Sequence, residues 1–164
     1  MKIDVSEILN SDGRTEKVNA LIELGDVSFG GNDLHFTEPV SLSGTVKNEC
    51  GEIILNLKAV SNFETLCARC GEKFELRFSY DISEKFVKNS VLYDANVLNG
   101  GEIDLKDVVL QHLYMNLPIS FICKDDCKGL CQKCGQNLNE GECSCDKGDI
   151  DPRMAALLKF KNDI

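Results

Sequence analysis

Several features that would point quickly to a function are scarce or missing from this chain of 164 residues. No window reaches the roughly 18 to 20 uninterrupted apolar residues of a membrane-spanning helix. Met1-Lys2-Ile3-Asp4 has no apolar run behind it of the kind a secretory signal needs, so the sequence predicts a cytoplasmic protein without a membrane partner. Histidine is limited to His35 and His112. His35 stands between Leu34 and Phe36 in a strand pattern and His112 falls in a helix stripe, so both read as packing or surface residues rather than as general bases. No phosphate-binding glycine loop occurs, and Gly30-Gly31 and Gly100-Gly101 read as turns. Asp125, Asp126 and the acidic stretch from Asp146 to Asp151 read as solvated faces, not as the paired carboxylates of acid-base catalysis. Basic residues are also in deficit, 18 against 27 acidic, which gives a formal charge of −9. Such a molecule repels phosphate backbones as a whole, so contact with nucleic acid must be local or pass through a partner. The sequence therefore predicts no enzyme, no catalytic residue and no small-molecule substrate.

What is present is an ordinary globular composition, 43% hydrophobic and 27% charged, in a chain long enough for one real core. The first hundred residues carry period-two patterns broken by turn residues, which predict strands. Met1 to Val5 is short and extended, and Val18 to Leu24 alternates. Val40, Leu42, Gly44 and Val46 share a face, as do Ile53, Leu55, Leu57 and Ala59 within Glu52 to Phe63. Asn48-Glu49-Cys50-Gly51 between them predicts a hairpin turn. A further strand carries Phe74, Leu76, Phe78, Tyr80 and Ile82. From Ser83 to Gly101 the periodicity fades into a long, weakly ordered connection. Asp104 can cap a helix with the stripe Leu105, Val108, Val109, His112 and Leu113, which runs to Asn116, stops at Leu117-Pro118 and should lie on the sheet. Asp151-Pro152 opens a second, short helix through Met154, Ala155, Leu157, Leu158 and Phe160. The predicted class is α+β: a β-rich antiparallel sheet with one or two packed helices and a C-terminal cysteine-rich zinc-binding segment. Residues 1–118 form the β-rich part with its closing helix, and residues 119–164 form the cysteine-rich segment and terminal helix, docked on the first part as one unit.

Nine cysteines are the compositional outlier. A cytoplasmic chain keeps thiols reduced and a core of this size needs no staples, so metal ligation explains the count better than disulfides do. Cys67-Ala68-Arg69-Cys70-Gly71 and Cys131-Gln132-Lys133-Cys134-Gly135 are the same device: two thiolates turned toward one ion and a glycine free to double the chain back. Cys123, Cys127, Cys143 and Cys145 supply two further pairs, so eight ligands make two closed four-cysteine sites holding two structural zinc ions. Several pairings are open to the sequence. Loop closure favours joining Cys131 and Cys134 to Cys143 and Cys145 across eight residues, which leaves Cys123 and Cys127 for Cys67 and Cys70. Cys50 is left over as a structural thiol. A closed tetrahedron leaves no open coordination position, which makes the metal structural. The competing reading is a thiol-disulfide oxidoreductase using Cys67 and Cys70, although that motif precedes Gly71 and a strand instead of opening a helix. A metal-responsive protein-binding module is a further alternative.

Cys67-x-Arg69-Cys70 after a strand, Gly101-Glu102-Ile103-Asp104-Leu105 opening a helix, Leu117-Pro118 ending it, Cys123, Cys127-Lys128-Gly129-Leu130-Cys131-x-x-Cys134-Gly135 and Asp151-Pro152-Arg153 together resemble the YceD family of bacterial and plastid proteins. The resemblance spans roughly residues 40 to 160, and its run D-C-K-G-L-C-x-x-C-G-x-N-L-N is long and specific. It implies a part in the accumulation of large-subunit ribosomal RNA, through its synthesis, processing or stability. Some members of that family keep C-x-R-C but lack the later ribbon, with histidine near the position of Cys123, which accords with Cys67, Cys70, Cys123 and Cys127 forming one site. The resemblance and the charge together predict a non-enzymatic ribosome-assembly factor whose partner is a basic large-subunit ribosomal protein or a pre-ribosomal particle, with ribosomal RNA engaged indirectly. Direct RNA contact would fall to Lys124, Lys128, Lys133, Lys147, Arg153, Lys159 and Lys161.

Overall fold

A computed structural model of the chain describes residues 1–87, 96–98 and 101–145. The elements run β1 (Lys2–Asp4), α1 (Ser6–Leu9), β2 (Thr15–Ile22), β3 (Val27–Phe29), β4 (Asn32–Phe36), β5 (Val40–Glu49), β6 (Glu52–Leu66), β7 (Lys73–Val87), β8 (Asn96–Val97), β9 (Glu102–Asp104) and α2 (Leu105–Asn116). The architecture is a β-rich antiparallel sheet with few helices.

Strand β6 organises the sheet because its alternation is unbroken over 15 residues. Ile53, Leu55, Leu57, Ala59, Ser61, Phe63 and Thr65 all turn one face inward and are buried. Burial of each large apolar side chain among them contributes about 1.5 to 3 kcal/mol. One edge of β6 takes β5 from Glu49↔Glu52 to Ser41↔Val60, and then β4 at Phe36↔Phe63 and His35↔Glu64. The other edge takes β7 along nearly its whole length, from Ile53↔Phe86 to Leu66↔Lys73. Strand β2 pairs outside β5, β3 outside β4, and β8 lies parallel to β7 at Phe86↔Asn96 and Val87↔Val97. The β5–β6 turn is the two-residue Cys50-Gly51, with φ of 54° and 89°, the left-handed pair whose twist suits a tight hairpin.

The inner face is closed by α2. Asp104 caps it by accepting from the Lys106 N–H at 2.9 Å, and Leu105, Val108, Val109, His112 and Leu113 form its buried stripe. It ends where Pro118 forces Leu117 into an extended conformation (φ −61°, ψ 137°). The helix docks on β7: the buried Tyr80 hydroxyl donates to Val109 O at 3.4 Å, and His112 Nε2 lies 2.7 Å from Glu84 Oε1. Burial pushes the Tyr80 hydroxyl up to about 12. The chain start is tied to the start of α2 by the β1–β9 pair, Lys2↔Asp104 to Asp4↔Glu102.

The structure departs from the sequence expectations at several elements: β2 runs Thr15–Ile22 where Val18 to Leu24 alternates, and Val27–Phe29 and Glu102–Asp104 are strands that depend on pairing, with β4 and with the distant β1 respectively. The stretch after Ser83 is not connection throughout: β7 continues to Val87, and Asn96–Val97 add a short strand. The single turn α1 was not expected, because four residues are too few to show a period. The expected helix over 151–160, with Arg153, Lys147, Lys159, Lys161 and the acidic residues 146–151, lies outside the described residues. Among the described residues no helix is long and apolar enough to cross a membrane.

Candidate metal centres

The first C-x-x-C is the tip of the longest hairpin. Leu66↔Lys73 is the last pair of the β6–β7 ladder, and Cys67 to Glu72 form the loop beyond it. Within that loop Cys67 N–H donates to Glu72 O at 2.8 Å and Gly71 N–H to Cys67 O at 2.8 Å, with Gly71 at φ 73°. The second C-x-x-C repeats this: Cys131 N–H to Gln136 O at 2.8 Å, Gly135 N–H to Cys131 O at 2.8 Å, and Gly135 at φ 75°. Matching hydrogen bonds and matching left-handed glycines make the two turns one knuckle used twice.

The segment after α2 brings the partners of the first knuckle. Phe121 is 1% exposed and packs edge-on against Phe63 at 6.0 Å, while Phe121 O accepts from Ala68 N–H at 2.8 Å. Cys123 and Cys127 follow directly. Arg69 fixes this loop from the knuckle side, since its Nη1 donates to Asp125 O at 3.2 Å and Cys127 O at 3.1 Å. Its own carbonyl accepts from Leu130 N–H at 3.0 Å. Gly129 is obligatory here, because a Cβ at that position would stand 2.9 Å from Arg69 O.

Two groups of sulfurs result, Cys67, Cys70, Cys123 and Cys127 in one and Cys131, Cys134, Cys143 and Cys145 in the other, each with its ligand atoms within 4.8 Å of one another. This is the division that loop closure favours. All nine cysteines are free, and Cys50 sits exposed in its hairpin with its N–H on Asp12 Oδ1 at 2.7 Å. In the first group Cys67 Sγ is 3.9 Å from Cys127 Sγ and Cys70 Sγ is 3.8 Å from Cys123 Sγ. A tetrahedron with metal–sulfur bonds of 2.3 Å has sulfur–sulfur edges of about 3.8 Å, so the donor set and its spacing both fit a tetrathiolate ion. Two cysteine clusters could therefore hold metal ions.

The electrostatics favour a cation. Burial pushes Cys67 up, but N–H donors from Cys123, Cys70 and Arg69 together bring it down to about 6. Cys127 is lowered, first by the Asn139 amide, against burial, and further by the Gly129 N–H. Cys123 goes the other way, up to about 12, through burial and the neighbouring sulfurs of Cys67 and Cys127. The second group repeats the contrast: backbone N–H donors of Cys134 and Lys133 bring Cys131 to about 6, while the Cys134 thiol and burial push Cys145 to about 12. Within each cluster one thiol is thus eased toward the thiolate while a neighbour is pushed away from it by crowded sulfur. A divalent ion at the centre of the four sulfurs would remove that opposition.

Sequence reasoning missed the residues that support these sulfurs. Arg69 and Asn139 were visible only as letters of the C-x-R-C and N-L-N patterns. Asn139 Oδ1 accepts from Lys128 N–H at 2.9 Å, which leaves its Nδ2 to donate to Cys127 Sγ at 3.4 Å and to Asn137 Oδ1 at 2.8 Å. Asn137 Nδ2 donates in turn to Glu72 Oε1, at 2.8 Å, in the first knuckle. Of the cationic candidates within the described residues, Lys124, Lys128 and Lys133 are exposed, as are Asp125 and Asp126.

Comparison with known proteins agrees with this motif set. A sequence model of the family described as "Large ribosomal RNA subunit accumulation protein YceD" matches residues 55–161, well over half of the chain. The chain is 38% identical over 63 residues to the chloroplastic "Large ribosomal RNA subunit accumulation protein YCED homolog 1" of Arabidopsis thaliana, across 38% of this chain and 20% of that protein. It is 30% identical over 101 residues to uncharacterised proteins of Mycobacterium bovis and Mycobacterium tuberculosis, across 57% of this chain and 48% of each. The matched stretch thus spans less than half the length of these relatives. No solved structure matches.

Proposed function

The chain belongs to the YceD family, and from that membership we propose that it is a non-enzymatic cytoplasmic factor supporting the synthesis, processing or stability of large-subunit ribosomal RNA, with two structural zinc ions. The names of the family and of its plant relative speak of accumulation of that RNA. The observation that carries the metal part is the pair of closed four-sulfur clusters. Cys67, Cys70, Cys123 and Cys127 hold one ion and fasten the segment after α2 to the tip of the β6–β7 hairpin. Cys131, Cys134, Cys143 and Cys145 hold the other and close a ribbon. Four protein ligands to each ion leave no position for substrate, so the zinc supplies cross-linking and no Lewis-acid chemistry. With a charge of −9, the protein works through a basic large-subunit ribosomal protein or a pre-ribosomal particle.

A thiolate of low pKa at Cys67 would also suit disulfide exchange. Its 2% exposure weighs against that reading, because an attacking thiolate has to be reached by the substrate. Elemental analysis of protein purified without chelators should find two zinc ions per chain, and crosslinking in growing cells should enrich large-subunit ribosomal proteins or ribosomal RNA. A metal-free protein with a Cys67–Cys70 disulfide would favour the redox reading, and enrichment of neither ribosomal component would sink the assembly reading.

A further inference from the structure

We propose that the two thiolate centres form one cooperative unit in which Asn139, a residue of the ribbon loop, is the positioning residue that transmits loading of one centre to the other. The proposal rests on the metal reading above and goes beyond it by naming a connection between the sites.

Three layers of contact carry it. The backbone of Gly129-Leu130 lies between the two knuckles: Leu130 N–H donates to Arg69 O at 3.0 Å on one side, and Leu138 N–H donates to Gly129 O at 2.9 Å on the other. Asn137 then reaches over the ribbon to Glu72 Oε1 in the first hairpin. The third layer is specific to the metal. Asn139 lies between Cys134 and Cys143, inside the loop that the second centre closes, yet its amide donates to Cys127 Sγ in the first. The amide orientation is fixed by its neighbours, since Oδ1 faces the Lys128 N–H and Nδ2 faces both the sulfur and Asn137 Oδ1.

The consequence is thermodynamic. A thiolate that accepts an N–H donor is stabilised as a ligand, and loss of an outer partner of this kind lowers metal affinity by about 10- to 100-fold. With the ribbon centre unloaded, the loop from Cys134 to Cys143 loses its anchor at the far end, and Asn139 keeps only the Lys128 and Asn137 contacts to hold it against Cys127. Loading the ribbon therefore raises the affinity of the first centre. Linkage requires the reverse effect by the same factor.

The test follows the first centre alone in the full-length, reduced protein. The amide resonances of Cys67, Cys70 and Cys123, the last of which donates to Cys67 Sγ at 3.4 Å, are monitored by NMR while a chelator competes for Zn2+. The double variant Cys143→Ser/Cys145→Ser should weaken this centre by about 10- to 100-fold although it touches none of its ligands. Asn139→Ala should do the same with all eight thiols intact, and combining the changes should add little, because both cut one link. Asn139→Asp keeps the acceptor for Lys128 N–H but replaces the donor, so it should fail to restore affinity. Cys67→Ser should in turn weaken the ribbon centre, read from the Lys133 and Cys134 amides that donate to Cys131. Unchanged first-centre affinity without the ribbon, or full affinity with Asn139→Asp, overturns the coupling while leaving two independent metal sites. Absence of Zn2+ binding at either centre would instead overturn the metal reading itself.

Discussion

At the scale of single residues, much of the structure depends on short polar side chains answering backbone groups that the strands and turns leave open. Asn48 is the clearest case. Although it lies on a strand and is 2% exposed, its Nδ2 donates to Ile8 O at 2.8 Å, Leu9 O at 3.2 Å and Ser11 O at 3.3 Å, and its Oδ1 accepts from Gly51 N–H at 2.9 Å. One side chain thus closes the end of α1 and braces the Cys50-Gly51 turn. Replacing it by alanine removes the donor to Leu9 O and the acceptor for Gly51 N–H at a buried position, and Asn48→Ala should lower unfolding free energy by about 1 to 3 kcal/mol in denaturant titration. Asn139 works in the same way beside a sulfur. Neither role was legible in the sequence, because nothing in the local pattern says which distant carbonyl or thiolate an asparagine amide will meet. Cysteine spacing was legible, since a C-x-x-C pair fixes its own geometry within one turn.

At the scale of elements, periodicity carried most of the information. The alternations in β2, β5, β6 and β7 and the stripe of α2 announced the sheet and its covering helix, and a hairpin turn was legible in Asn48-Glu49-Cys50-Gly51, although Asn48 and Glu49 stay in the β5 ladder and only Cys50-Gly51 turn. The four-residue α1, the parallel partner β8 and the extent of β7 past Ser83 were not legible, because each depends on pairing with distant chain and not on local period. The cap of α2 offers a pH test. Hydrogen bonding from the Lys106 N–H, opposed by burial and helped by the N-terminal amine and Lys2, holds the Asp104 carboxyl below its usual 3.8. A depressed carboxylate contributes stability that is complete above the unfolded value and lost as pH falls through the folded one. Asp104→Asn keeps an acceptor but cannot titrate, so its stability-against-pH curve should be flatter than that of the parent chain below pH 3.8. Identical acid limbs would contradict the cap assignment.

The two knuckles differ in what they join. The first brings together residues 56 positions apart, Cys67 and Cys123, so breaking the proposed tetrathiolate centre should release the segment after α2 from the hairpin tip. Cys67→Ser should therefore raise hydrogen exchange at Ala68, whose amide bonds Phe121 O, and at Leu130, whose amide bonds Arg69 O, and should lower global stability because metal binding is coupled to folding. Cys143→Ser should expose chiefly Cys131, Lys128 and Leu138, whose amides bond within the ribbon. The reverse order of protection loss would mean that the ribbon, and not the hairpin tip, bears the greater structural weight.

For the molecule as a whole, charge decides what it can approach. The formal value of −9 counts thiols as neutral, whereas four thiolates around a divalent ion carry a net −2, so loading both centres takes the protein to −13. Loading would thus make the surface more acidic, beside Asp125 and Asp126, both exposed. A basic ribosomal protein should associate at low salt and dissociate as salt screens the attraction, while bare large-subunit RNA should bind poorly under the same conditions. Zinc-loaded protein should bind the basic partner more tightly than Cys143→Ser, which lacks one centre. Asp125→Asn/Asp126→Asn should weaken that binding without disturbing the first knuckle, since Arg69 bonds the backbone carbonyl of Asp125 and not its carboxylate. Lys128→Ala should have little effect. Direct RNA contact demands the opposite ranking: salt-sensitive binding to RNA fragments, lost with Lys128→Ala and spared by the aspartate changes. That ranking would place the RNA on this chain itself and remove the need for a protein intermediary.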